Sequence, residues 1–223
     1  MNISNIAGTI RKRALMVKLF FIIFFTVGLC GIMVPSTRSV FLHLTPLALL
    51  LSITGLAIFH TPGQNRRTLI VFVSIFFASW LVEAAGVNGG FIFGSYTYGQ
   101  GLGIKIFGTP LIIGINWVLL LYCTFVITDR IRIPVILKIV TSSLLMVIYD
   151  IIMEQTAPWL DMWRFDEVNV PVRNYISWFI IAFFFHATIR LSGIKIKNEL
   201  AVTIFSVQLI FFIVLTAFFK ITG

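Results

Sequence analysis

Seven stretches of this chain, 17–34, 40–60, 68–86, 110–128, 134–153, 174–191 and 199–219, run for 18–21 residues each with scarcely a charge inside them. About 20 apolar residues in a helix cross the hydrocarbon core of a bilayer. A backbone in hydrocarbon must satisfy its own hydrogen bonds, so such runs fold as helices. Only 11% of the residues are charged, against about 25% in soluble domains, and the mean hydropathy is +1.02. The expected fold is therefore all-α, a polytopic membrane helix bundle of about seven transmembrane helices in one integral membrane domain over residues 1–223. The two longest connections, 87–109 and 154–173, are too short for a second domain. Water-soluble enzymes drop out.

The net charge of +9 invites a nucleic-acid partner, but basic residues also collect in cytoplasmic loops of membrane proteins, and that explanation suffices here. With the N-terminus inside, Arg11, Lys12, Arg13, Lys18, Arg66, Arg67, Arg130, Arg132, Arg190, Lys195 and Lys197 are cytoplasmic. Arg38, Lys105, Arg164, Arg173 and Lys220 fall on the other side. Eleven against five predicts a cytoplasmic N-terminus and an external C-terminus. Cys30 and Cys123 both lie in apolar runs and read as packing residues. His43, His60 and His186 show no HxxxH or HExxH spacing, which argues against a metal site.

On that topology the acids gather at one side. Glu83 lies near the outer end of the third span and Asp150 near that of the fifth, with Glu154 four residues on. Residues four apart share a helix face, so Asp150 and Glu154 put two carboxyls together. Ionisable groups in spanning segments usually face the bundle interior or a wet cavity. Asn116 and Trp117 sit near the start of the fourth span, and Asn174 and Trp178 begin the sixth. The other reading of each acid is a hydrogen bond to a neighbouring helix or a place among the headgroups.

Residues 86–108 hold eight of the sixteen glycines, interleaved with Phe91, Phe93, Tyr96, Tyr98 and Phe107. Glycine at that density disfavours a helix. Two readings stand side by side, a re-entrant lid over the outer opening and an aromatic belt at headgroup level. Pro110 is expected to restart a helix, in the first-turn position proline tolerates. The 154–173 connection carries Trp159, Trp163 and Phe165 among Asp161, Arg164, Asp166 and Glu167. Its rings can either face a cation or simply anchor the interface.

The ordered set Glu83, Gly94-Ser95-Tyr96-Thr97-Tyr98, Gly108-Thr109-Pro110-Leu111, Asn116-Trp117, Asp150, Glu154 and Pro171-x-x-Asn174-Tyr175-x-x-Trp178 resembles the carotenoid biosynthesis membrane proteins that include the bacterial and archaeal carotenoid end-group hydratases. The resemblance covers residues 75–180. Two positions depart from it. Glu154-Gln155 stands where members often read Asp-Pro, and Ser177 where a Gly is usual.

The resemblance implies addition of water across the terminal double bond of an acyclic carotenoid end, giving a tertiary alcohol with no redox cofactor or metal. It implies a lipophilic polyene as substrate (lycopene-like or longer), surrounding membrane lipid, a prokaryotic inner membrane and other carotenoid-pathway enzymes as neighbours. The chemistry requires an acid, a cation stabiliser and an oriented water. Asp150, Glu154 or Glu83 can supply the proton. Trp117, Tyr96, Tyr98, Trp163 or Trp178 can shield the cation, and Asn116, Asn174 or a second carboxylate can orient the water. The alternative is a membrane substrate-binding or transporter subunit for a small hydrophobic molecule.

Overall fold

The computed structural model describes residues 3–61 and 66–222, with side chains from Arg13 onward in the first helix. Arg11 and Lys12, named above for orientation, have side chains outside that description.

Eight helices form among the described residues. Six are long and apolar enough to cross a membrane: α1 (Ile3–Met33, apolar over Arg13–Met33), α4 (Arg66–Gly89), α5 (Ile112–Asp129), α6 (Val135–Glu154), α7 (Val172–Leu191) and α8 (Ala201–Thr222). The protein is thus an all-α, multi-pass membrane bundle.

The second expected span differs. Residues 40–60 are not one straight rod: α2 (Pro35–Leu42) and α3 (Thr45–Ile58) meet at an angle of 55°. Proline explains the break, since it sits in the first turn of both helices and removes an N–H that a continuous helix would need. Pro134 and Pro171 likewise stand immediately before α6 and α7.

The structure also corrects the role of Pro110. It pairs as strand β3 (Thr109–Pro110) with β2 (Lys105–Ile106), and α5 begins only at Ile112. The turn between them, Phe107 and Gly108, has φ values of +52° and +76°. Two consecutive positive φ angles are what a tight two-residue hairpin demands.

Helix α5 is the axis of the bundle. Over its apolar stretch 83% of the residues are buried, against 17–33% in the other long helices. It packs on α3, α4, α6 and α8, while α6 lies along α7 and α1 along α8. The starts of α5 and α7 and the ends of α4 and α6 therefore meet at one end of the bundle, where the two long connections emerge.

Those connections are zipped together. Strand β1 (Tyr96–Tyr98) pairs antiparallel with β4 (Trp163–Phe165), setting Tyr96 opposite Phe165 and Tyr98 opposite Trp163. Alternation along a strand sends Tyr96, Tyr98 and Trp163 inward, while Thr97 and Arg164 stay exposed. The pairing continues past the ribbon, because the Gly99 and Gly101 N–H groups donate to the Met162 and Asp161 carbonyls at 2.9 and 2.7 Å. A Cβ at either glycine would strike the Asp161 or Leu160 carbonyl, so only glycine permits this approach. The glycine-rich segment thus folds as a ribbon against the 154–173 connection.

Candidate active site

Beneath the ribbon, three carboxylates share one buried cavity: Glu83, Asp150 and Glu154 are 3%, 0% and 6% exposed. Each is held differently.

Glu83 is saturated with donors. Its Oε2 accepts from the Tyr96 hydroxyl at 2.6 Å and the Tyr98 hydroxyl at 2.9 Å, and its Oε1 accepts from Trp117 Nε1 at 2.8 Å. Burial first, and then the neighbouring Glu83 carboxylate, push both phenols above their ordinary pKa. They therefore remain donors. Trp117 is fully buried and stacks on Trp178, ring centroids 4.1 Å apart and planes 19° from parallel.

Glu154 accepts from Trp163 Nε1 at 2.9 Å on one oxygen and from Asn174 Nδ2 at 3.3 Å on the other. The same Asn174 nitrogen donates to Asp150 Oδ2 at 2.9 Å. One amide thus ties together the two carboxyls that helical spacing had put on one face. Asp150 Oδ1 is buried and has no hydrogen-bond partner. Buried polar oxygens are nearly always paired, so this one stands out among the described residues. The cavity of about 20 Å³ beside it has room for one water.

Among the described residues no cation pairs with these acids. The ion pairs among the described residues join Asp129 to Lys138 and Arg190, away from this cavity. Arg164, on the ribbon, is exposed.

A larger cavity of about 240 Å³ adjoins the small one, and Ile113 and Trp163 line both. It is almost wholly apolar, walled by Phe24, Phe25 and Gly28 of α1, Leu49 of α3, Met153 of α6, and Phe211 and Phe212 of α8. The bend at 42–45 brings Phe41, Leu44 and Thr45 onto this wall. Besides Thr45 its polar groups include Asn116, Gln208 and Tyr149, whose hydroxyl donates to Gln208 Oε1 at 3.2 Å.

The structure thus sorts the candidate residues. Glu83, Tyr96, Tyr98, Asp150, Glu154, Trp163, Asn174 and Trp178 all line the acid cavity. Trp117 lies behind it, through Glu83 and Trp178. Asn116 faces the apolar groove instead. Ile113, which separates the two spaces, and Phe93 and Phe165, which close the acid cavity, carry no polar signal in the sequence. Ser177 donates to the Ile92 carbonyl at 2.6 Å and pins the start of the ribbon segment to α7.

Residues 44–223 match the family of carotenoid biosynthesis proteins. The chain belongs to that family. Its work lies in carotenoid biosynthesis, in a membrane, and the matched stretch contains every residue of the acid cavity. No curated protein and no solved structure matches the chain. All of α1 and α2 falls before residue 44, so this carotenoid biosynthesis protein builds one wall of its apolar groove from outside the matched stretch.

Proposed function

We propose that this carotenoid biosynthesis protein is a hydratase that adds water to the terminal double bond of an acyclic carotenoid end. The observation carrying this reading is the junction at Ile113 and Trp163, where a lipid-like groove meets a water-sized, acid-lined cavity. A polyene end lying in the groove presents its last alkene to that cavity.

Asp150 gives the proton from Oδ1 to the less substituted alkene carbon, breaking the π bond and leaving a tertiary carbocation. The carboxylate of Glu83, fixed by its three donors, and the faces of Trp178 and Tyr96 stabilise the cation. Water held in the cavity adds through oxygen, and Glu154 accepts the proton that water loses. The proton returns to Asp150 through the shared cavity. The sum is alkene plus water to tertiary alcohol, with no electrons exchanged. By loop charge, this end of the bundle faces away from the cytoplasm.

Pigment analysis by liquid chromatography and mass spectrometry, in a bacterium that accumulates lycopene, tests the assignment. Wild type should yield products heavier by one or two waters, and Asp150→Asn should yield none. Unchanged pigment from well-inserted wild type, with lycopene and with a longer acyclic carotenoid, would overturn the reading.

A further inference from the structure

A third cavity, of about 140 Å³, lies toward the other end of the bundle between α3, α4 and α5. Phe72, on its wall, is eleven residues before Glu83 on α4, about 16 Å along the helix at 1.5 Å per residue. The wall is mostly hydrocarbon, with Leu56, Leu69, Phe72 and Val118, and it carries His60 and Tyr122. His60 is only 7% exposed, and its Nε2 has no hydrogen-bond partner among the described residues.

The neighbouring bonds fix what that nitrogen offers. Asn198 Oδ1 accepts from the Leu200 N–H at 2.8 Å, which sets the orientation of the amide. Asn198 Nδ2 then donates to the Leu56 carbonyl at 2.8 Å and to the Tyr122 hydroxyl oxygen at 3.0 Å. Tyr122 has one proton left to give, and His60 Nδ1 lies 2.8 Å from its oxygen. The imidazole accepts there, so its proton sits on Nε2. With Nδ1 accepting, the ring carries a single proton and is neutral. The backbone is equally fixed, since Thr61 and Lys197 exchange hydrogen bonds at 2.9 Å in both directions. Among the described residues, a rigid, uncharged N–H donor therefore stands unpaired at a mostly apolar chamber. Buried donors are nearly always met by a partner.

We propose that this chamber is a second ligand site, which takes the oxygenated end of a membrane-dissolved isoprenoid, its carbonyl or hydroxyl oxygen accepting from His60 Nε2. An engineered apolar cavity of about this size holds a benzene ring, so a ring or short branched end fits. An anion does not, because the ring is neutral. The site is separate from the acid cavity and does not depend on the hydratase reading.

The test uses the full chain in lipid nanodiscs with ¹⁵N-labelled histidine, the His60 signals assigned by their loss in His60→Phe. Geranylacetone, a short isoprenoid ketone, should shift the Nε2 resonance saturably, whereas the hydrocarbon of the same skeleton should not. Val118→Phe, which fills the chamber while keeping His60, should weaken the ketone response at least tenfold, and Asp150→Asn should leave it unchanged. Displacement of the ketone by a hydroxylated carotenoid or by a short-tailed quinone names the source of the oxygen. An Nε2 shift equal for ketone and hydrocarbon, or none for either, would overturn the site and leave Nε2 bonded to water alone.

Discussion

Asp129 and Asp150 lie on adjacent, packed helices, one at the α5–α6 turn and the other near the far end of α6. Asp129 is paired with Lys138 at 3.1 Å and Arg190 at 3.0 Å, and its side chain is 45% exposed. Asp150 is wholly buried, has no cation partner among the described residues, and touches the neutral amide of Asn174. A carboxylate neutralised by two cations at a helix end is settled, and its work is mechanical. A carboxyl held by one neutral donor, its other oxygen unpaired among the described residues, has no such anchor. The pattern of partners, more than burial itself, is what sets the acid of the proposed reaction apart from Asp129.

The largest effect should come from Asp150→Asn. It keeps shape and the contact with Asn174 but cannot supply a proton. Turnover of an acyclic carotenoid in proteoliposomes should fall about 10²–10⁴-fold, with the melting temperature near wild type. Equal turnover in Asp150→Asn and Asp129→Asn would erase the distinction drawn between the two acids.

Glu83→Gln tests the third carboxylate, which the hydrogen bonds mark as a fixed anion. Glutamine can still accept from Tyr96 and Tyr98, but its amide then turns N–H toward the Trp117 N–H, now 2.8 Å from Oε1. The buried clash should cost about 1–3 kcal/mol, visible in the melting temperature as well as in turnover. A stable Glu83→Gln protein with turnover lost as completely as in Asp150→Asn would move the acid role to Glu83.

The acid cavity and the groove differ in how far the sequence announced them. The carboxyls did so because charge in an apolar run is conspicuous, and the four-residue spacing of Asp150 and Glu154 needed only helical geometry. Asn174 and Trp178 followed from their place at a helix start. The ribbon did not, because strands of three residues such as 96–98 and 163–165 are too short for alternation to register, and their pairing spans 65 or more residues of chain. Trp163 could be named as an aromatic near the site, but its N–H on Glu154 depends on that register. The groove is assembled from apolar residues of separate helices, and nothing distinguishes Gly28 or Ile113 from any other lipid-facing residue until the helices pack. The break at 42–45 was similarly hidden, since its flanks are as apolar as a continuous span even though Pro46 marks the restart.

The groove has its own test. Gly28 on α1 leaves space where an added Cβ would come only within 3.8 Å of Phe211. Alanine should therefore be tolerated, whereas Gly28→Leu pushes a branched side chain into the groove. With the acids untouched, KM for a carotenoid should rise about tenfold while kcat changes little. An unaltered KM would show that substrate reaches the acids by another route.

The smallest effect belongs to the settled end. Asp129→Asn removes both ion pairs at a partly exposed position, where such pairs contribute about 1 kcal/mol or less. Arg190 keeps two other holds, its Nη2 on the Thr128 hydroxyl at 3.3 Å and its guanidinium 4.1 Å from the centre of the Phe125 ring. The α5–α7 contact should therefore survive, with a slight fall in melting temperature and full turnover. Arg190→Ala removes its ion pair together with the hydroxyl and ring contacts, leaving only the Lys138–Asp129 pair, and should destabilise more than Asp129→Asn. If Arg190→Ala were no less stable than Asp129→Asn, the ring and hydroxyl contacts would add no more to holding that end closed than the Lys138 pair does.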